Sequence, residues 1–483
     1  MPSAPTPPLR VAVVGSGPSG VYAAQGLVER GGELGVPVEV DVLDRLPCPY
    51  GLVRYGVAPD HEKIKSLQRN LRGVLELPGV RFLGNVQVGE GGVPPARLLE
   101  LYHAVVYCVG AATDRRLGIP GEELRGSHSA TEFVSWYSAH PDAARTSFGL
   151  DARQAVVIGV GNVAVDVARV LARGADDMVP TDMPARALDS LARSTVTEVT
   201  MVGRRGPSQA KFTTKELREL GALREAAVDV REDELALDPG YVDPSGLSGP
   251  ARRNVGVLRE WAASAECGGW GGAHGGSARR LALRFFLRPV EILDDGRGAV
   301  AGVRFERTLP EEGPDGPGSG GTGGVRGTGT YEDVPAQLVL RSVGYRGVPL
   351  QGLPFDPRTG TVPHAGGRVL RDGAPSPGEY VAGWIKRGPT GVIGTNRPCS
   401  KETVSSLLAD APELMRAAGP LERDPLPALE ALNGARGGPP VDWAGWLGIE
   451  EAEAALGRGL SRNTVKIPDW EGLLTAAAAG ARS

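Results

Sequence analysis

No stretch of this 483-residue chain approaches the roughly 18 consecutive apolar residues that a membrane-spanning helix needs, and the opening MPSAPTPPLR carries no apolar leader segment. The expectation is a soluble, cytoplasmic protein without membrane insertion. Cysteine is scarce as well: Cys48, Cys108, Cys267 and Cys399 are the only four, and they stand far apart. Such spacing excludes the CxxC of a redox-active disulfide and the clustered ligands of a zinc or iron-sulfur site, so no metal is expected. Nor is there an excess of one charge, with 53 Lys and Arg against 57 Asp and Glu and a formal net charge of −4. A chain so balanced has no global attraction to nucleic acid, and any basic docking surface must be local. Heptad patterns and short-period repeats are absent too. If this chain moves electrons, a bound organic cofactor must carry them.

What is present is a pair of βαβ openings. The segment LRVAVVGSGPSGVYAAQGLVER (9–30) reads as an apolar strand, a glycine turn and a helix-period run, followed by a second strand in VPVEVDVLDR. Gly15, Gly17 and Gly20 form GxGxxG between that strand and that helix. The pattern serves a tight turn, a close backbone approach to a pyrophosphate, and an anion held by free N–H groups at the helix start. Asp44 ends the second strand 44 − 20 = 24 residues after the last glycine, where a carboxylate accepts hydrogen bonds from two ribose hydroxyls. A solvated strand-end acid is the plain alternative for Asp44. Strand, glycines, helix and acid together favour a dinucleotide, and an N-terminal site of this kind suits FAD.

The second opening is RQAVVIGVGNVAVDVARVLAR (153–173), with Gly159, Gly161 and Ala164 in GxGxxA and Asn162 placed to cap the helix. Its next strand runs into TEVTMVGRRGPSQAKF (197–212), where Arg204 and Arg205 stand in place of the ribose-binding acid. A carboxylate there would repel a 2′-phosphate, whereas two guanidiniums clamp one with charge-assisted hydrogen bonds. A basic turn in solvent is the ordinary fate of such a pair, but its position opposite GxGxxA points to NADP(H) rather than NAD(H).

The chain's 41% hydrophobic content supports two or three domains. The strands in AVVYCVGAATDRR (104–116) and AQLVLRSVGYRG (336–347) read as the two crossings between a split first domain and an insert. This gives an α/β protein with two Rossmann-like domains: an FAD-binding domain from 1–115 and 336–483, interrupted by an NADP-binding domain at 116–335. Two glycine-rich stretches, 266–280 and 310–333, lack apolar periodicity and read as surface loops, with the densest glycine at 266–278 and 313–329.

Several phrases in order, VAVVGSGPSG, PYGLVRYGVAPDH, GNVQVGE, GVGNVAVDVARVL, VGRRGPSQAKFTTKELREL, RSVGYRG and GWIKRGPTGVIGTN, carry a family likeness. From about residue 10 to 470 the chain resembles the adrenodoxin-reductase type of ferredoxin-NADP reductase. The resemblance implies a glutathione-reductase-like flavoprotein. It implies that Gly15, Gly17, Ser19, Gly20, Asp44, Leu52, Val88, Trp384 and the turn Gly391, Val392, Ile393 touch FAD. It assigns Arg115, Val160, Gly161, Asn162, Val163, Arg204, Arg205, Glu216 and Gly391 to NADP, and points to His61 and Asp166 for a proton path, with Glu219 a further possibility. Cys48, Tyr50 and Lys211 depart from the family's usual residues.

The implied activity moves electrons from NADPH through FAD to a ferredoxin, an acidic iron-sulfur partner, with a cytochrome P450 system as one downstream consumer. A disulfide reductase would need a cysteine pair that does not exist here. A flavin monooxygenase, a quinone or diaphorase-type reductase and a non-catalytic NADPH sensor compete with this reading. Read from the residues alone, GWIKRGPTGVIGT is too rich in Gly and Pro for a helix, and a helix can begin after Pro398. Trp384 covers a cofactor face or packs in a core. Asp166 and His61 serve equally well as a helix-start acid and a loop histidine. Lys211, Lys215 and Arg218, with Arg252 and Arg253 further along, are candidates for a local docking cluster.

Overall fold

A computed structural model describes residues 7–266, 279–311, 324–419, 421–422, 424–433 and 438–482. The chain divides into two units. The first comprises residues up to Thr113, Ser138–Asp142 and Tyr345–Ser483; the second comprises Asp114–Tyr137 and Ala143–Gly344. Strands are numbered along the chain.

The first unit contains β1 (Leu9–Val14), β2 (Val38–Leu43), β3 (Val80–Leu83) and β4 (Ala104–Tyr107), and the two-residue β5 (Thr113–Asp114) lies at the first crossing. The second contains β6 (Ser127–Ser129), β7 (Gln154–Ile158), β8 (Glu198–Val202), β9 (Ala226–Val230), β10 (Arg279–Arg284), β11 (Leu287–Asp294), β12 (Val300–Pro310), β13 (Val325–Pro335) and β14 (Leu338–Arg341). The first unit then resumes with β15 (Tyr345–Arg346), β16 (His364–Ala365), β17 (Arg368–Arg371) and β18 (Ala374–Val381).

The first unit's sheet runs β16-β17-β18-β4-β1-β2-β3. Its β18-β4-β1-β2-β3 part is parallel, with Val13 beside Val42 and Val106. The strand β4 is apolar along its length and β1 is apolar apart from the half-buried Arg10, because both faces are covered, as parallel sheets require. On one face the helix Pro18–Glu33 packs Val21, Ala24 and Leu27 into a core shared with Val404, Leu407 and Ala411 of the long helix Asn396–Ala417.

The second unit's sheet is fully parallel, in the order β6-β14-β7-β8-β10-β9. Beside it β11, β12 and β13 form a three-stranded antiparallel sheet.

Several expectations change. The stretch 310–333 is not loop throughout: Val325–Pro335 is a strand paired along its edge with β12, and its exposure largely alternates, with Arg326, Thr328, Thr330 and Asp333 facing solvent. Residues 267–278 and 312–323 lie outside the described residues. The second crossing falls after Gly344, not at 335, since β14 pairs with β6 and β7 inside the second unit's sheet. The first falls after Thr113 rather than at 115, and Ser138–Asp142 belongs with the first unit. Among the described residues no helix is long and apolar enough to cross a membrane.

Candidate active site

In the first unit, β1 delivers the chain to a glycine turn whose three glycines play different parts. Gly15 has φ +108, and a Cβ there would lie 2.5 Å from the Cys108 carbonyl oxygen; one at Gly20 would lie 1.8 Å from the Gly15 carbonyl oxygen. Both are required by the protein's own packing. At Gly17 a Cβ would meet only Gly51 Cα, at 3.9 Å, so the space beside it is open. Gly17 also caps the helix Pro18–Glu33 without a side-chain partner, leaving its first-turn N–H groups available to an anion. Ser19, in that turn, is buried, and its carbonyl accepts from Ser400 Oγ at 2.9 Å.

Asp44 follows β2. Its Oδ2 accepts from Ser16 N (2.8 Å) and Ser16 Oγ (2.5 Å), and its Oδ1 from Leu46 N (2.9 Å). Burial pushes the carboxyl above its ordinary range, and these donors oppose the shift. Leu52 opens a one-turn helix, Leu52–Tyr55, directly after Gly51, whose φ is +50; Val88 is buried in an isolated bridge with Val93. His61 is buried at the start of the helix Glu62–Lys65.

The C-terminal motif is less irregular than its composition suggests. Trp384–Arg387 forms one helical turn, and the long helix begins at Asn396, two residues ahead of Pro398, because proline is tolerated in a first turn where no N–H partner is needed. Gly391 (φ +83), Val392 and Ile393 form the turn between them, with Val392 58% exposed. Trp384 tilts against Tyr345, ring centroids 5.4 Å apart, and its Nε1 is buried without a hydrogen-bond partner. An open glycine turn, an uncapped helix start and an orphaned indole N–H fit a flavin dinucleotide with a polar ring edge.

In the second unit, β7 leads to the turn Gly159–Gly161. A Cβ at Gly161 would meet nothing within 4 Å, and Gly161, not Asn162, occupies the cap position of the helix Asn162–Ala172. The Asn162 side chain instead accepts from Thr213 N at 2.8 Å, and Lys211 N donates to Val160 O at 2.8 Å. These two bonds tie the segment after the arginines to the glycine turn. Val163 is half-buried, and Ala164, fully buried, lets the helix lie on the sheet. Arg115, near the first crossing, is exposed, and its N–H donates to Gly344 O at 2.9 Å.

Arg204 and Arg205 sit at the bend after β8, the first exposed and the second half-buried, and neither guanidinium has a hydrogen bond or ion pair to any described residue. Glu216, on the helix Thr214–Gly221, is buried with Oε2 unpartnered. An open glycine turn, two free cations and an orphaned carboxylate oxygen fit a phosphorylated dinucleotide with a carboxamide end.

Sequence reasoning missed two residues here. Arg169, 3% exposed, joins Asp166 (2.9 Å) to Glu219 (2.7 Å), tying two helices that carry candidate residues. The Asp166 pair is an i,i+3 spacing and was legible; Glu219, fifty residues on, was not. Replacing Arg169 by Met removes the guanidinium that both carboxylates share, and the expected loss is about 2 kcal/mol, the worth of hydrogen bonds to charged groups, read as a lowered thermal midpoint. Asp238, 1% exposed, accepts from Ser208 N (2.7 Å) and Ser208 Oγ (2.9 Å) and so fixes the loop after the arginines.

The candidate docking residues divide. Lys215, Arg218 and Arg253 line one cleft of about 490 Å³ with Thr214, Glu219 and Ala222, so Arg253 belongs beside the first cluster. Arg252 does not join it: its guanidinium holds the carbonyls of Pro244, Ser245 and Leu247. Lys211 is exposed.

Two dinucleotide cradles on parallel sheets, one opened by an acid and one by two free arginines, define a nucleotide-linked oxidoreductase of two Rossmann-like units. A profile of the pyridine nucleotide-disulphide oxidoreductase family matches residues 9–232. The chain is 44% identical over 472 residues to the NADPH-ferredoxin reductase FprA of Mycobacterium tuberculosis, covering 97% of this chain and 98% of that protein. It is 38% identical to the mitochondrial NADPH:adrenodoxin oxidoreductase of Arabidopsis thaliana, covering 99% and 97%. The solved structure of Mycobacterium tuberculosis FprA in complex with NADPH superposes with a TM-score of 0.88 at 42% identity, over 98% of this chain and all of that one. The chain belongs to the adrenodoxin-reductase type of ferredoxin-NADP reductases.

Proposed function

We propose that this chain is an FAD-dependent reductase that takes electrons in pairs from NADPH and hands them singly to a ferredoxin-type iron-sulfur protein. The observation that carries the reading is the pair of unpartnered guanidiniums, Arg204 and Arg205, beside the open turn at Gly161. Two free cations where a ribose-binding acid would stand suit a 2′-phosphate. FAD, when bound, accepts two electrons together and releases them one at a time, which joins these two substrates.

In this reading Gly15, Gly17, Ser19 and Gly20 bring the helix start to the FAD pyrophosphate, and Asp44 faces the adenosine ribose. Leu52, Val88, Trp384 and the turn Gly391, Val392, Ile393 bound the flavin, with the Trp384 indole N–H offered to its polar edge. Arg115, Val160, Gly161, Asn162, Val163, Arg204, Arg205, Glu216 and Gly391 hold NADP(H). His61, Asp166 and Glu219 handle protons, and the ion pairs to Arg169 fix where the two carboxylates stand. We place the enzyme in the cytoplasm, where NADPH is supplied and where Cys48, Cys108 and Cys399 stay as thiols.

The ferredoxin docks, in this reading, on the cleft of Lys215, Arg218 and Arg253. Lys215 is spent partly on Glu219, 3.6 Å away, whereas Arg218 and Arg253 have no ion pair to a described residue. Anaerobic NADPH should bleach the flavin, and oxidised ferredoxin should restore its colour. The rate of that second step should fall steeply as the Debye length shrinks from about 10 Å at 0.1 M salt to about 3 Å at 1 M. Arg218→Glu with Arg253→Glu should slow it roughly tenfold while leaving turnover with a small neutral quinone unchanged. Failure of NADPH to bleach the flavin, or of any ferredoxin to recolour it, rejects the function. Equal slowing with both acceptors rejects the docking surface.

A further inference from the structure

In an extended strand successive side chains point to opposite faces, so two adjacent arginines can serve one phosphate only where the backbone bends. The bend falls on Arg204 and Arg205 themselves, and every carbonyl along it is held by the antiparallel sheet or the corner that leads into it. Leu287 N donates to Gly203 O (3.1 Å) and Phe286 N to Arg205 O (3.4 Å). These are main-chain donors that any sequence would supply. The carbonyl between them, Arg204 O, is held by a side chain: Thr308 Oγ1 donates to it at 2.9 Å.

Thr308 is 1% exposed, on β12, and its own N–H donates to Phe286 O at 2.8 Å. It stands where the β12–β13 pairing slips, between Glu306 and Thr308, an irregularity of the sort that re-aims a side chain. Valine has the same shape and suits a buried strand position at least as well, so packing gives no reason for the hydroxyl. The hydroxyl's partner gives one.

We propose that Thr308 is a positioning residue for nucleotide specificity: its hydroxyl fixes the peptide between Arg204 and Arg205 so that both guanidiniums serve one 2′-phosphate, without itself touching the nucleotide. The proposal rests on the NADP(H) reading above. It makes the antiparallel sheet part of the specificity machinery, although it contributes no group to the nucleotide.

The test is calorimetric titration of the FAD-loaded protein with 2′,5′-ADP and with 5′-ADP, for the wild type, Thr308→Val and Thr308→Ser. Loss of one hydrogen bond should weaken 2′,5′-ADP about three- to tenfold in Thr308→Val and alter 5′-ADP by less than about twofold. Thr308→Ser, which keeps the hydroxyl, should bind both as the wild type does. Thr308→Ala gives the same reading if valine is not tolerated. Equal weakening of both nucleotides makes Thr308 a fold residue and overturns the proposal. Unchanged 2′,5′-ADP binding in a wild type that does prefer it over 5′-ADP overturns the proposal alone. A wild type with no such preference overturns the NADP(H) reading together with it.

Discussion

Gly17→Val should yield a folded, colourless protein. Among the described residues a Cβ at Gly17 meets nothing closer than Gly51 Cα at 3.9 Å, so a β-carbon there does not itself clash with the polypeptide. With the FAD pyrophosphate seated on this turn as proposed, what the side chain would obstruct is its approach to the uncapped N–H groups at the head of Pro18–Glu33. Overpacking against the phosphate together with lost charged hydrogen bonds should cost about 3 kcal/mol or more, a hundredfold in flavin affinity. The check is visible flavin absorbance relative to protein absorbance, beside a far-ultraviolet circular dichroism spectrum. Gly20→Val is the contrasting control: its Cβ would sit 1.8 Å from the Gly15 carbonyl oxygen, and that variant should not fold. A Gly17→Val protein that stays yellow would remove the first cradle from the site.

The other large effect belongs to Arg204 and Arg205. Neither guanidinium has a hydrogen bond or ion pair to a described residue, so their removal leaves no described buried carboxylate stranded and should not destabilise the fold. Each change to Ala should weaken NADPH by roughly 1.5–3 kcal/mol, ten- to a hundredfold, the worth of hydrogen bonds to a charged group. NADH, which lacks the 2′-phosphate, should lose far less. The measurement is KM for both nucleotides with a common acceptor, and equal losses would return the pair to an ordinary basic turn.

These outcomes concern features that local chemistry announces. The glycines, the strand-end Asp44 and the RR after β8 are legible because each sits within a few residues of the strand and helix that give it meaning. The ties that hold them are not local. Arg169 reaches Glu219, Thr213 reaches Asn162, and Thr308 reaches Arg204 across a hundred residues, so no window of sequence contains both partners. The strand Val325–Pro335 was hidden for a related reason. Its exposed face carries Gly, Thr and charged residues, and what makes it a strand is pairing with β12 rather than its own apolar pattern. The crossing after Gly344 was misplaced because β14 reads as a buried strand equally suited to either sheet.

The short stretch Ser138–Asp142 has a bearing on how this architecture can be recombined. It lies within the span of the second unit yet belongs to the first. There Asp142 pairs with Arg45 at 2.7 Å and accepts from Trp470 Nε1 at 2.9 Å, while the Ser138 carbonyl accepts from Lys466 Nζ at 3.3 Å. The Arg45 guanidinium opposes the effect of burial and holds the Asp142 carboxyl down at about 2. A nucleotide-binding cassette cut at the two crossings and transplanted from a homologue would carry a foreign version of these five residues into the host's Arg45, Trp470 and Lys466. A working chimaera must therefore be spliced at four joints instead of two, keeping the host's own 138–142 inside the borrowed cassette.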